Sequence, residues 1–433
     1  MESQPLSRAR FFKLSAVFAL IYFFSPNGLA ALPGITISFL LKDTLHLSAS
    51  QASYFGAITI LGWALKPLWG ILSDIFPILG YRRKSYLVLT SLGAAAIWWT
   101  LGSMEHYSTI SIMLLFTLSS IMYAFMDVLC DALMVETGKP LGLTARFQSV
   151  QWTAVYAASI ITGIAGGWVA THWSPQHTFR INALFPLIIL AAIFFFLKET
   201  RIADATQQRR TSLQALREAA RDKQLWILAA FLFFVAFSPS FGAPFFYYSV
   251  DALKFDAGLF GLAASIGAVS SAIGAILYGK YGTRLRTRPL VKFAIIVGTI
   301  ATLFDLIYFI PAVHAHLGLA RWIYLSSSAI LGGVGAITFL VMLNAAAIAC
   351  PKYSEGTTFA TLTSFWNIGL MGSSALGGYL FDQIGLIPLI IVSAIFTAVA
   401  WGFLPRLRFA DEGVIENNAN SDSITRIHSR YLP

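Results

Sequence analysis

The chain has 433 residues, of which 57% are hydrophobic and only 12% charged, and its mean hydropathy is +0.70. So few polar residues cannot cover the surface of a water-soluble protein of this size, so lipid must be the main solvent. The formal net charge of +10 is a poor sign of nucleic-acid binding, because the basic residues are dispersed over alternate loops between apolar runs.

A hydrocarbon core of about 30 Å takes about 20 apolar residues per helix. Runs of that kind predict twelve spans, numbered in chain order: 12–41, 51–72, 85–103, 108–137, 145–170, 180–198, 224–250, 258–280, 289–311, 320–350, 356–381 and 386–405. Arg8, Arg10 and Lys13 give the start a signal-peptide look, but hydrophobicity continues past Pro26 to Leu41, which predicts a retained first span. The expected fold class is all-α: a polytopic membrane protein with six-helix bundles over 1–198 and 224–406. A linker over 199–223 carrying Arg201, Arg209, Arg210, Arg217 and Arg221 would join them, and the Asn- and Asp-rich stretch 407–433 would form a disordered tail.

With these spans, only Lys42, Arg180, Lys254 and Arg321 among the 30 Lys and Arg residues fall on the side opposite the termini, and Lys66 lies inside the membrane. The positive-inside rule then puts both termini in the cytoplasm. Cys130 and Cys350 lie in or at the end of apolar runs and are expected to be buried thiols, not a disulfide.

No motif supplies an engine. Gly274 to Lys280 has the spacing of a phosphate loop, but Tyr281 stands where Ser or Thr would hold magnesium, and the segment is an apolar helix. No metal-ligand spacing or nucleophile elbow is present, and His46, His106, His172, His177, His314 and His316 fall in predicted outer loops. No cofactor and no enzymatic activity are therefore expected, and uphill transport would draw on an ion gradient.

The informative residues are the charges within apolar runs: Lys66 in span 2, Asp127 and Asp131 in span 4, and Asp305 in span 9. Each costs at least ~3 kcal/mol on insertion scales and needs a partner or a water-lined site. Asp127 and Asp131, four apart, project from one face of span 4. At 1.5 Å per residue Lys66 and Asp131 lie at similar depth, each roughly 12 Å from the end of its span. Pairing Lys66 with one aspartate leaves the other to take up a proton or grip a substrate; a purely structural pair joining spans 2 and 4 is the competing reading. Asp305, in a span expected to be peripheral, has no evident partner.

Span 5 adds Gln148, Gln151, Trp152 and Tyr156 on one polar-aromatic face, following Arg146. Asn27 between Pro26 and Gly28, and Pro239 between Ser238 and Ser240, should break spans 1 and 7 at equivalent places, as happens where transporters bind substrate. Gly163, Gly166 and Gly167, Gly332, Gly333 and Gly335, and Gly372, Gly377 and Gly378 permit close helix contact.

The run from Lys66 to Arg83, KPLWGILSDIFPILGYRR, resembles the KPLxGxxSDxxPxxGYRR signature of the folate-biopterin transporters of the major facilitator superfamily. Further matches are Leu41-Lys42-Asp43, Asp127-Val128 with Asp131-Ala132-Leu133 and Glu136, Gln148-Ser149 with Trp152, and Glu355-Gly356-Thr357 with Asn367. The resemblance implies the major facilitator fold, alternating access by two bundles, folate or pterin as substrate and proton coupling. It also implies a gate latch of Asp74 with Arg82 and Arg83, to which Glu136 and Arg146 are added. A pterin edge would bind a carboxylate such as Asp127 or Asp131 bidentately, its ring stacking on Trp152, Tyr156, Phe245 or Tyr248. Lys66 or Arg146 would meet the glutamate tail. A monomer in a bacterial inner membrane is expected. Muropeptide permeases share the plan, and a non-transporting membrane sensor is the alternative from another class.

Overall fold

The computed structural model describes residues 8–138, 144–199, 201, 214, 217, 221–281, 285–348 and 355–407. The predicted tail and most of the predicted linker lie outside the described residues. Regular structure among the described residues is helical, apart from one isolated bridge between Ile78 and Tyr81. Spans 3 to 6, 8 to 10 and 12 form the eight helices that are long and apolar enough to cross a bilayer.

The other four spans differ for reasons visible in their residues. Span 1 runs as Arg8–Phe23, stops, makes a short 3-10 turn at Leu29–Ala31 and resumes as Gly34–Phe39. Pro26 and Pro33 cannot donate into a helix ladder, and a Cβ at Gly28 would collide with the carbonyls of Tyr22 and Phe23. Span 2 starts on a capping box of Ser48 and Gln51 and is cut into Ala49–Thr59, Leu61–Ala64 and Lys66–Ile75, the last opening on Lys66-Pro67. Span 7 breaks around Pro239 into Lys223–Ala236 and Gly242–Asp251. Span 11, Glu355–Ile384, is unbroken but carries Ser364, Asn367, Ser373 and Ser374 along its length. It serves the break in span 7: the Ser240 amide donates to the Ser373 carbonyl at 3.0 Å, and the Ser373 hydroxyl donates to the Ser238 carbonyl. Backbone freed inside a membrane must find such partners.

Three apolar clusters result among the described residues, one around Phe18, Phe116, Phe147 and Phe179 of the first bundle, one around Phe231, Val291, Met342 and Leu362 of the second, and a smaller one around Leu253, Phe255, Tyr308 and Val313 of the second. The bundles meet along span 5 against span 8 and span 2 against span 11. Gly163 and Gly167 face Gly261 so closely that a Cβ on Gly261 would lie 2.6 Å from the Gly163 carbonyl oxygen. Beside them Ser265 of span 8 meets the backbone of span 5. Its hydroxyl accepts from the Ile164 amide at 2.8 Å and donates to the Ile160 carbonyl at 2.7 Å, so it bonds both polar groups of one turn of span 5. Ser270 bonds the Gly333 amide and the Ala329 carbonyl of span 10 in the same way.

Further bonds tie the ends of the bundles remote from Arg8 and Arg406. Lys42 Nζ donates to Asp251 Oδ1 at 2.6 Å, the Tyr247 hydroxyl to the Leu47 carbonyl at 2.8 Å, and the Ser374 hydroxyl to the Ser53 carbonyl at 2.8 Å. The hydrogen bond to Asp251 raises the Lys42 pKa above its ordinary value against the opposing effect of burial.

Candidate functional site

Lys66 and the two aspartates do come together, but Lys66 bonds the aspartate nearer the midplane. Its Nζ lies 2.7 Å from Asp127 Oδ2, with about a tenth of each side chain exposed, and 4.8 Å from the ring centroid of Trp63. Asp131, level with Lys66 by residue count, is instead held by Tyr22, whose hydroxyl donates to Oδ1 at 2.8 Å. Lys66 and Asp74 lie in one helical piece, so the count of depth stands; the long lysine stem reaches the carboxylate one turn further in, about 5.4 Å along span 4.

This division matters chemically. Asp127 is neutralised by an ion pair, whereas Tyr22 is a neutral donor that occupies one acceptor position of Asp131 and leaves both carboxyl oxygens able to accept more. Tyr22 reaches Asp131 because span 1 packs against span 5. Phe18 meets Phe147 edge to face at 5.0 Å, and the Ser159 hydroxyl donates to the Asn27 carbonyl at 3.0 Å. The two spans run in parallel, so one turn beyond Phe18 and Phe147 come Tyr22 and Gln151. Gln151 is only 9% exposed, and its Oε1 has no hydrogen-bond partner among the described residues. Asn27 thus enters through its backbone at the break in span 1.

Trp152 and Tyr156 lie 5.8 Å apart, and Trp152 touches Phe339 of span 10 at 5.9 Å. Asn367 of span 11 donates to the Trp63 carbonyl at 3.1 Å, so it supports the ring that lies under Lys66. Phe245 and Tyr248 do not join this site. The break in span 7 carries them toward the remote end, where Phe245 packs on Tyr308 and the Tyr248 hydroxyl donates to the Tyr308 carbonyl. Asp305 is not mid-helix either: it terminates the α-helix Thr287–Phe304 and starts a 3-10 turn beside Tyr308, away from the charged cluster. The side chains of Arg146 and Gln148 lie outside the described residues.

The expected latch residues form a second cluster in the first bundle. Arg82 and Arg83 both bond Asp74 Oδ1, at 2.5 and 2.8 Å, and Glu136 Oε1, at 3.1 and 2.7 Å, and Arg83 also donates to the Ser73 hydroxyl at 2.6 Å. Leu79 and Gly80 take positive φ, 54° and 78°, turning the loop so that arginines eight and nine residues after Asp74 fold back onto it. Glu199, just past span 6, completes the cluster. Its carboxylate accepts the amides of Arg82, Arg83 and Lys84 at 3.0, 3.1 and 2.6 Å, capping the start of span 3.

Sequence reasoning missed Tyr22, Trp63, Phe339 and Glu199. Tyr22 lies one turn after Phe18 on the same face, which is a weak signal in a chain with 16 tyrosines and 35 phenylalanines. Glu199 is the first acid after an apolar run and carries no motif.

The BT1 family model matches residues 27–404. A folate-biopterin transporter of Synechocystis is 32% identical over 98% of this chain and 87% of its own length. Folate transporter 1 of Plasmodium falciparum is 25% identical, covering 82% of this chain and 70% of that protein. Among solved structures, a D-xylose-proton symporter superposes with a TM-score of 0.68 at 12% identity, covering 92% of this chain and 98% of that one. A nucleoside transporter superposes with a TM-score of 0.64 at 12% identity over 93% and 98%. These two likenesses establish the major facilitator fold.

Proposed function

Given that the chain belongs to the BT1 family of membrane transporters, we propose that it carries folate or a related pterin by alternating access of its two bundles, coupled to protons, with both termini cytoplasmic in a bacterial inner membrane. The observation that carries this reading is the unequal pair on span 4. Lys66 neutralises Asp127, and only the Tyr22 hydroxyl meets Asp131 in the polar contacts described.

A pterin's amino-pyrimidinone edge presents two parallel donors, which a carboxylate accepts bidentately. Asp131 has both oxygens available for this, with Trp152 of the adjoining span at a similar level for the flat ring. A carboxyl group at that depth, left without a cation of its own, is also the natural carrier of a proton. Lys66 is engaged by Asp127, so the glutamate tail of a folate is met by other groups.

The test is uptake of radiolabelled folic acid into proteoliposomes, with and without an inward proton gradient. Saturable uptake that the gradient stimulates is expected. Active protein that binds neither folic acid nor a pterin would discard the substrate and keep the fold. Uptake that ignores the gradient would remove proton coupling alone.

A further inference from the structure

Trp152 and Phe339 belong to different bundles, and their ring planes meet at 71° with centroids 5.9 Å apart. Phe339 continues to Trp366 of span 11 at 6.2 Å, and Trp152 to Tyr156 at 5.8 Å, so four half-buried rings form a chain across the bundle interface. Counted at 1.5 Å per residue from the ends of their helices on the side of the termini, Phe339 lies about 14 Å in, Trp366 about 17 Å, Trp152 about 12 Å and Asp131 about 11 Å. The rings therefore share a layer with the carboxyl group. The first bundle supplies the charged groups of that layer, Lys66, Asp127 and Asp131, and the second presents Phe339, Trp366 and the Asn367 amide.

We propose that Phe339 is the specificity-determining residue contributed by the second bundle, and that a flat ring held at Asp131 is clamped between Trp152 and Phe339. The proposal rests on the pterin reading above and adds to it the second wall of the ring site. Two rings flanking a stacked guest stand about 7 Å apart, since each face needs about 3.5 Å. The present pair is closer than that and crossed, so the guest must part it and turn Phe339 parallel. One ring contact is then exchanged for two. The two bundles, now touching through this pair, would touch through the ligand instead, which ties occupancy of the site to their relative position.

The test is competition against radiolabelled folic acid bound to purified protein, using pterin-6-carboxylate and p-aminobenzoylglutamate, which represent the two ends of folate. Phe339→Leu is expected to weaken the pterin about three- to tenfold, the value of one aromatic contact, and to shift p-aminobenzoylglutamate by less than about twofold. Phe339→Tyr, which keeps the ring, should restore the pterin to near its original affinity. Unchanged pterin competition in Phe339→Leu overturns the proposal, as does an equal loss for both competitors, which would mark Phe339 as a packing residue only. Wild-type protein that binds neither folic acid nor the pterin overturns the substrate reading and this inference together, an outcome distinct from failure of the Phe339 variant alone.

Discussion

Breaking the Lys66–Asp127 pair from one side and then from both sides separates its structural part from any transport role. At an effective dielectric of about 20, unit charges 2.7 Å apart attract by ~6 kcal/mol. Desolvation of both groups offsets most of that, and the remaining asymmetry is what an experiment sees. Removing one partner strands a charge among apolar helices and costs ~3–5 kcal/mol, whereas replacing both with apolar residues is close to neutral. Lys66→Met and Asp127→Leu should each lower the thermal midpoint of the purified protein by roughly 6–15 °C, taking a bundle as the unfolding unit. The double variant should recover most of that loss. Tryptophan fluorescence during heating in detergent gives the midpoints, and uptake by the same variants in proteoliposomes gives the function. A double variant as unstable as the worse single one would refute the closed-pair argument. A stable double variant that no longer transports would show that the pair acts in transport as well as in joining spans 2 and 4.

Asp131→Asn should abolish most gradient-stimulated uptake, while Asp305→Asn, at a helix end away from the charged cluster, should leave uptake within about twofold in the same assay, less than ~0.4 kcal/mol on the free-energy scale. In Ser265→Ala, the Ile164 amide and Ile160 carbonyl still have each other as helical partners, so the stability loss should stay near ~1 kcal/mol in thermal unfolding. Loss of several kcal/mol would mean that the two backbone groups depend on the serine. The Lys42–Asp251 tie follows the raised Lys42 pKa: its stabilisation is complete below the unfolded value of 10.5 and lost as pH rises through the higher folded value. Between pH 6 and 9 the difference in thermal midpoint between the native protein and Asp251→Asn should therefore be constant, with the variant the less stable throughout, and a difference that changes across that range would refute the assignment.

The distribution of these residues shows what was legible in advance. Composition and run length were enough for an all-helical membrane protein, because lipid admits few other ways to satisfy a backbone. Pro26, Gly28 and Pro239 were enough for breaks in spans 1 and 7, since missing amides and a missing Cβ are local properties. The long run from Lys66 to Arg83 identified the Asp74, Arg82 and Arg83 cluster, whose contacts lie within one loop's reach. Pro67 is a local sign of the break at Leu65, but local patterns could not show which of two carboxylates one turn apart on span 4 the Lys66 stem would meet. The breaks were readable but their consequence for Phe245 and Tyr248 was not, because the direction in which a broken span resumes depends on what it packs against.

The solvent, the helices and the chemistry available at their midst follow from the amino-acid order alone, because hydropathy, helix period and proline act over a few residues. Which aspartate is neutralised, that Tyr22 bonds the other, that Glu199 caps span 3 and that Phe339 meets Trp152 across the interface came from tertiary packing alone. Those choices depend on crossing geometry between helices distant in the chain, where a shift of one turn, about 5.4 Å, exchanges one hydrogen-bond partner for another.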